Sequence, residues 1–152
     1  ILSITQSDNG HLFIGTISGL DRYDGNSVEH IKEFNALSIT ALLVASDSTI
    51  FVGTLDSIAT VKDLYYPKVD FYSKKDGLKC KYFYSFYETV KNQILIGTEK
   101  GVFVFSKGKI KRDPAYSKLN SIKVYKITHD LQGTKYFATS DGLYVFSPSG
   151  IW

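Results

Sequence analysis

The 152-residue sequence predicts an all-β chain, a β-propeller fragment of about four four-stranded antiparallel blades with the last blade incomplete. Three observations predict it. A marker of three mostly apolar residues, a small residue and Thr occurs four times, 38, 44 and 41 residues apart. Propeller blades repeat at about 40–50 residues. The same order of apolar stretches and polar turns surrounds each marker. Aromatic side chains make up 14% of the chain, and flat rings pack well on a pleated sheet.

The markers read Leu12-Phe13-Ile14-Gly15-Thr16, Ile50-Phe51-Val52-Gly53-Thr54, Ile94-Leu95-Ile96-Gly97-Thr98 and Lys135-Tyr136-Phe137-Ala138-Thr139. Each is the second strand of its repeat. First strands precede them at residues 1–5, 38–45, 82–90 and 124–129. Polar turns at 7–10, 46–48, 91–92 and 131–133 join the two, three of them with Gly or Asn where a tight hairpin needs positive φ. Third strands follow at 19–23, 57–61, 101–105 and 142–146, with Gly19, Gly101 and Gly142 at matching places. Fourth strands occupy 27–31, 68–72 and 109–112, and the last copy reaches only Gly150-Ile151-Trp152. Blades therefore run approximately 1–34, 35–75, 76–115 and 116–152 within a single propeller region.

Two alternatives compete with this assignment. Residues 29–45, taken alone, have helix-forming Ala, Leu and Glu, but the matching segments elsewhere are rich in Tyr, Val and Ile. A two-layer sandwich would also use antiparallel sheets, yet it buries one face of each. The marker strands are nearly continuous in apolar residues, as in sheets covered on both faces.

Composition narrows the function classes. The formal charge is +3, from 18 basic and 15 acidic residues, too small an excess to mark a nucleic-acid binder. A single cysteine, Cys80, excludes an internal disulfide and a multi-cysteine metal site, and no neighbour activates it. No apolar run approaches the ~18 residues of a membrane span, so no membrane contact is expected within this segment. The sequence holds no Met, as expected of a piece of a longer chain.

Catalytic and metal motifs are not apparent. His11, His30 and His129 fall at unrelated repeat positions and form no H-x-x-x-H pair or His-carboxylate motif, so no metal site is expected. No nucleophile elbow, phosphate loop or dinucleotide fingerprint appears, and no cofactor is expected. Asp21-Arg22-Tyr23-Asp24-Gly25-Asn26 lacks calcium-loop spacing and reads as a turn. The run Lys107-Gly108-Lys109-Ile110-Lys111-Arg112 reads as a charged, solvated sheet edge, as do Lys74, Lys75, Lys79 and Lys81 around their loop.

Propellers bind ligands on loops after the second and fourth strands. Second-strand loops offer Ser18, Asp56, Glu99, Lys100 and Asp141; fourth-strand loops offer Asn35, Lys79, Lys81, Tyr82, Asp113, Tyr116 and Asn120. Acids, amides and aromatic rings suit sugar hydroxyls and ring faces. The candidate ligand-binding set is Asp56, Glu99, Lys100, Asp141, Lys81, Tyr82 and Tyr116.

The segment Asp8-Asn9-Gly10-His11-Leu12-Phe13-Ile14-Gly15-Thr16-Ile17-Ser18-Gly19-Leu20-Asp21-Arg22-Tyr23-Asp24 resembles the two-component regulator propeller repeat. Residues 93–105 match it too, residues 47–58 keep its Asp and Gly-Thr, and residues 138–144 replace Gly-Thr by Ala138-Thr139. The family's usual Trp is replaced by Phe13, Phe51, Leu95 and Tyr136. The resemblance covers essentially the whole chain. It implies the periplasmic or extracellular sensor region of a hybrid two-component regulator, whose kinase lies elsewhere in the parent chain. It implies a non-catalytic module that responds to a glycan-derived ligand, with an oligosaccharide as partner. A scaffold for protein–protein contact is the alternative, and a propeller lyase or hydrolase a distant one. Uncovered outer blades imply self-association or contact with remaining blades of the parent chain.

Overall fold

The computed structural model describes residues 1–62 and 67–147, with the backbone of residues 150 and 151. Among the described residues, sixteen strands form four antiparallel four-stranded sheets, each an up-and-down meander in chain order. The first holds β1 (Ser3–Gln6), β2 (Leu12–Gly15), β3 (Leu20–Tyr23) and β4 (Val28–Ile31). The second holds β5 (Ala41–Val44), β6 (Ile50–Gly53), β7 (Ile58–Lys62) and β8 (Lys68–Tyr72). The third holds β9 (Phe83–Glu88), β10 (Ile94–Thr98), β11 (Gly101–Ser106) and β12 (Lys109–Lys111). The fourth holds β13 (Val124–His129), β14 (Lys135–Thr139), β15 (Gly142–Ser147) and β16 (Gly150–Ile151). The last outer strand is thus a two-residue stub; Trp152, expected to continue it, lies outside the described residues. The fold is that of β-propeller blades, with the fourth incomplete.

Residues 29–45 contain no α-helix. They run from β4 through a 3₁₀ turn at Lys32–Phe34 into β5, with Ala36 at φ 60° between them. The inner strand of the second sheet begins at Ala41 rather than at Ser38. The Ile39 amide is committed to the Thr16 carbonyl of the first sheet, 2.8 Å away, and cannot join its own ladder.

The turn from first to second strand is the same device four times. Backbone bonds run from Gly10 to Ser7, Ser48 to Ala45, Asn92 to Thr89 and Gly133 to Asp130, at 2.8–3.1 Å. The donor in each takes positive φ: 88°, 65°, 54° and 81°. That is the left-handed position a short hairpin loop requires, which Gly and Asn supply at least strain.

Two consecutive sheets pack together in each of the two units into which the chain divides, residues 1–83 and 84–152. In the first, Phe13, Leu20, Ile31 and Phe34 pack with Ile39 against Ile50, Val52, Ala59 and Val61. In the second, Leu95, Val102, Val104 and Leu119 pack against Val124, Ile127, Phe137 and Phe146. Strands β6 and β10 are buried along their full length, which is why their sequences do not alternate.

The small residue of the marker has a packing cause. A Cβ on Gly15 would lie 2.5 Å from Ser3 Oγ and 2.7 Å from Ile39 Cγ2. One on Gly97 would lie 2.6 Å from Ser85 Oγ and 2.8 Å from the Val124 carbonyl oxygen. The segment leading into the next sheet passes directly over each glycine. Ala138 holds this position in the fourth sheet and is exposed, so a methyl group fits there.

Candidate functional site

The turns after the second strands carry most of the candidate ligand residues, and the marker threonine builds each of them. Its hydroxyl donates to the carbonyl three residues on: Thr16 to Gly19, Thr54 to Ser57, Thr98 to Gly101 and Thr139 to Gly142, at 2.8–3.0 Å. The same oxygen accepts an amide from inside the turn, as from Lys100 and Asp141, both at 3.1 Å. A hydroxyl that both donates and accepts satisfies two backbone groups of a tight turn at once. Gly19, Gly101 and Gly142 follow at φ 150°, 98° and 109°. Ser57 replaces glycine in the second sheet, and its hydroxyl pairs with Thr54 Oγ1 at 2.8 Å instead.

These turns place Asp56, Lys100 and Asp141 at equivalent positions, two residues after the marker threonine, with all three exposed. Glu99 is half-buried beside Lys100. The Asp141 carboxylate accepts the Tyr144 hydroxyl at 3.0 Å, and this bond raises the Tyr144 phenol above its ordinary value. Lys81 is exposed, and Tyr82 shows 47% of its surface directly before β9. Asp56, Lys81 and Tyr82 belong to the first unit; Glu99, Lys100, Tyr116 and Asp141 belong to the second.

Tyr116 sits differently from the other six. It lies in the 3₁₀ segment Pro114–Leu119, started by Pro114 and by the Asp113 carboxylate accepting the Ala115 amide at 2.9 Å. Its ring packs on Phe137 and Phe146, with centroids 5.6 and 5.5 Å away. Burial, then the charges of Asp113 and Tyr87, push its phenol up to about 12. The ring is therefore a half-buried wall of the second core.

Two polar groups have partners that the sequence spacing does not show. His30 pairs with a carboxylate after all: Nδ1 lies 2.6 Å from Asp21 Oδ1 across the β3–β4 ladder, and Nε2 lies 2.5 Å from Asn35 Oδ1. Sequence spacing hid this pair because its members face each other from separate strands. The bond to Asp21, then the bond to Asn35, raises the imidazole above its ordinary value. Arg112 is exposed, as a solvated edge requires, and its guanidinium also lies over Phe103, the carbon 4.3 Å from the ring centre. It donates to Asn120 Oδ1 at 2.6 Å and to the Lys100 carbonyl at 2.7 Å. Lys109 and Lys111 are exposed on β12, as an edge strand requires.

Beside His30 lies an open pocket of about 190 Å³, lined in part by Arg22, Glu29, Lys32 and Glu33. Arg22 and Glu29 close an ion pair at 2.5 Å on its wall. Asp24 organises the neighbouring turn, accepting the Ser27 and Asn26 amides at 2.7 and 2.8 Å, and those bonds lower its pKa. Cys80 is buried at 7% exposure. Among the described residues no three His, Cys, Asp or Glu side chains gather as metal ligands, and no helix is long and apolar enough to cross a membrane.

No protein-family model and no curated protein matches the chain. Solved structures do. The extracellular domain ascribed to the hybrid two component system BT3049 from B. thetaiotaomicron is 20% identical, with a TM-score of 0.77 over 95% of this chain and 21% of that one. The extracellular domain ascribed to the hybrid two component system BT4673 from the same organism is 19% identical, with a TM-score of 0.60 over 97% and 26%. Virginiamycin B lyase from Staphylococcus aureus is 13% identical, with a TM-score of 0.72 over 98% and 53%. The chain spans about a fifth to a quarter of the first two structures and about half of the third. At these identities the likeness is one of fold.

Proposed function

We infer that this chain is a non-catalytic sensory, ligand-binding propeller segment of a two-component signalling regulator, acting in the periplasm or outside the cell. The observation that carries the reading is the marker turn. The residues of the two-component propeller repeat, Gly-Thr and the later Gly, are the ones that build that turn here, in three of four sheets with little change. Two structures of the same fold being extracellular domains of such systems supports it. The lyase shares that fold as well, and fold does not carry chemistry with it.

A glycan-derived ligand is the class we assign to the turns. Exposed Asp56 and Asp141 offer acceptors to sugar hydroxyls, and half-exposed Tyr82 offers a ring face. The test is calorimetric titration of the full parent ectodomain with a panel of oligosaccharides. Binding that weakens at least tenfold when Asp56, Glu99 and Asp141 become Ala supports the assignment. Unchanged affinity in that triple variant removes these residues from the site, and no binding by any sugar removes the ligand class.

A further inference from the structure

We propose that His30 is a pH-sensitive latch: as an imidazolium it bonds Asp21 and Asn35 together, tying the outer strand of the first sheet to the segment that leads into the second. The latch has a counterpart in the third sheet. Counted from the marker-turn glycine, the two cations match. His30 opposes Asp21, two residues after Gly19. Arg112, directly after β12, continues the register that pairs Lys111 with Val104, which brings it to Phe103, two residues after Gly101. Asn35 and Asn120 both end the 3₁₀ turns that follow. Arg112 donates to Asn120 Oδ1 at 2.6 Å as His30 meets Asn35 Oδ1 at 2.5 Å. In both, the cation lies over the glycine that closes the marker turn, Gly19 under His30 and Gly101 under Arg112. The second sheet lacks all three parts: Ser57 and Phe71 stand in place of glycine and cation, and Gly77 ends its 3₁₀ turn. Glycine, cation and asparagine thus occur together in the first and third sheets, and none of the three occurs in the second.

The two latches differ in one respect. A guanidinium is donor-only and always charged. It therefore requires Asn120 to present its oxygen, and the matching Asn35 oxygen faces Nε2 in the same way. An imidazole that donates to Asp21 from Nδ1 and to Asn35 from Nε2 must carry both protons. Loss of one removes a donor, and the Asn35 amide must then turn over to keep any bond to the ring. The charged groups around His30 are Asp21 and Arg22 on β3, Glu29 on its own strand, and Lys32 and Glu33 in the connection. Arg22 is satisfied by Glu29 at 2.5 Å, and Asp21 is the acid in contact with the ring.

The sign follows from those contacts. His30 is raised above its ordinary 6.5, so the latch is fully present below that value and is lost as pH rises through the raised one. What it holds is measurable. The Ala36 amide donates to the Ser18 carbonyl at 3.0 Å and the Ile39 amide to the Thr16 carbonyl at 2.8 Å, both just beyond Asn35.

The experiment is hydrogen exchange of Ala36 and Ile39 against pH, corrected for intrinsic rates, with imidazole ¹⁵N shifts read on the same samples. The Ser121 amide, bonded to the Lys100 carbonyl in the arginine latch, is the internal reference. We expect both ring nitrogens protonated above the ordinary histidine range, and a severalfold loss of Ala36 and Ile39 protection as His30 deprotonates, with Ser121 unchanged. His30→Arg should keep protection at every pH; His30→Phe, the residue of the second sheet, should fold and lack the pH-dependent step. A singly protonated ring at pH 6, a step shared by Ser121, or a step retained in His30→Phe each overturns the latch.

Discussion

The carbonyl oxygen of Leu119 lies where a side chain on Gly101 would begin: a Cβ built there would sit 2.5 Å from it. The same glycine holds φ at 98°, so two separate constraints meet at one residue. Gly25 separates them. It has the same φ of 98° and nothing within 4 Å of a built Cβ. Gly25→Ala should therefore show the backbone penalty alone, about 1–2 kcal/mol. Gly101→Ala should exceed it by a further ~1–3 kcal/mol, the usual range for overpacking. Urea unfolding of the two variants checks the difference, and equal losses would refute the steric part.

Thr98 is fully buried and its hydroxyl serves two backbone groups, the Gly101 carbonyl at 2.8 Å and the Lys100 amide at 3.1 Å. Thr98→Val keeps the shape and removes both bonds. It should cost about 1–3 kcal/mol, because a buried hydroxyl that bonds two backbone groups of the turn is lost. Thr139 makes the same bonds at a site water can reach, so Thr139→Val should cost less than about 1 kcal/mol. A reversed order in denaturant titrations would show that the turn is held by something other than the hydroxyl.

The period and the strand order were legible from the markers because apolar runs and turn residues are local signals. The latch was not, since Asp21 and His30 are nine residues apart and meet only once β3 and β4 pair. The partners of Arg112 are hidden for a similar reason: four basic residues in six read as a solvated edge, and Phe103 comes beneath one of them only once β11 and β12 pair. One strong signal stood in plain view. Phe34, Leu78 and Leu119, all at 0% exposure, are 44 and 41 residues apart, in phase with the markers. Each lies at the turn joining one sheet to the next, where a sequence reading tuned to strands does not look. Among the candidate ligand residues, the phenol of Tyr116 is legible in the sequence, while its exposure depends on Phe137 and Phe146 about twenty to thirty residues later.

Those connector anchors should dominate stability. Leu119→Ala removes a fully buried side chain packed among Val102, Val124 and Phe137 and should cost about 2–5 kcal/mol. Phe34→Ala should cost about 3–5 kcal/mol. Neither residue lies in a strand, so an outcome below about 1 kcal/mol for both would mean that the connections are not part of the core.

Tyr116 supplies an alkaline signature. Its phenol is pushed up to about 12 in the folded chain, chiefly by burial and then by Asp113 and Tyr87, against an ordinary value of 10.0. The unfolded chain therefore loses this proton first. The stabilising contribution is fully present below pH 10 and is lost as pH rises through the folded value. Ultraviolet difference titration should show one late tyrosine that vanishes in Tyr116→Phe. The variant's unfolding free energy should fall less steeply than wild type above pH 10; identical slopes would remove Tyr116 as the cause.

Ile4 and Leu42 hold the same place in successive sheets, each on the face opposite its marker phenylalanine. Leu42 packs against the core built from Phe13, Ile50 and Val52, whereas Ile4 is 58% exposed. Val28 and Val69 repeat the contrast, Val28 being 64% exposed and Val69 packed. The difference arises because the first sheet covers the second and nothing in this chain's first unit covers the first. Leu42→Ala should cost about 1–3 kcal/mol of hydrophobic burial. Ile4→Lys should stay within about 0.5 kcal/mol of wild type, as exposed substitutions do. An apolar face that matches a packed one is also a contact surface, so the wild-type chain should self-associate with rising concentration. Sedimentation velocity should show that association reduced in Ile4→Lys with the fold retained. A wild type that stays monomeric at high concentration would mean that the half-covered Leu12 and Ile14 leave too little apolar surface on this face to hold a second copy.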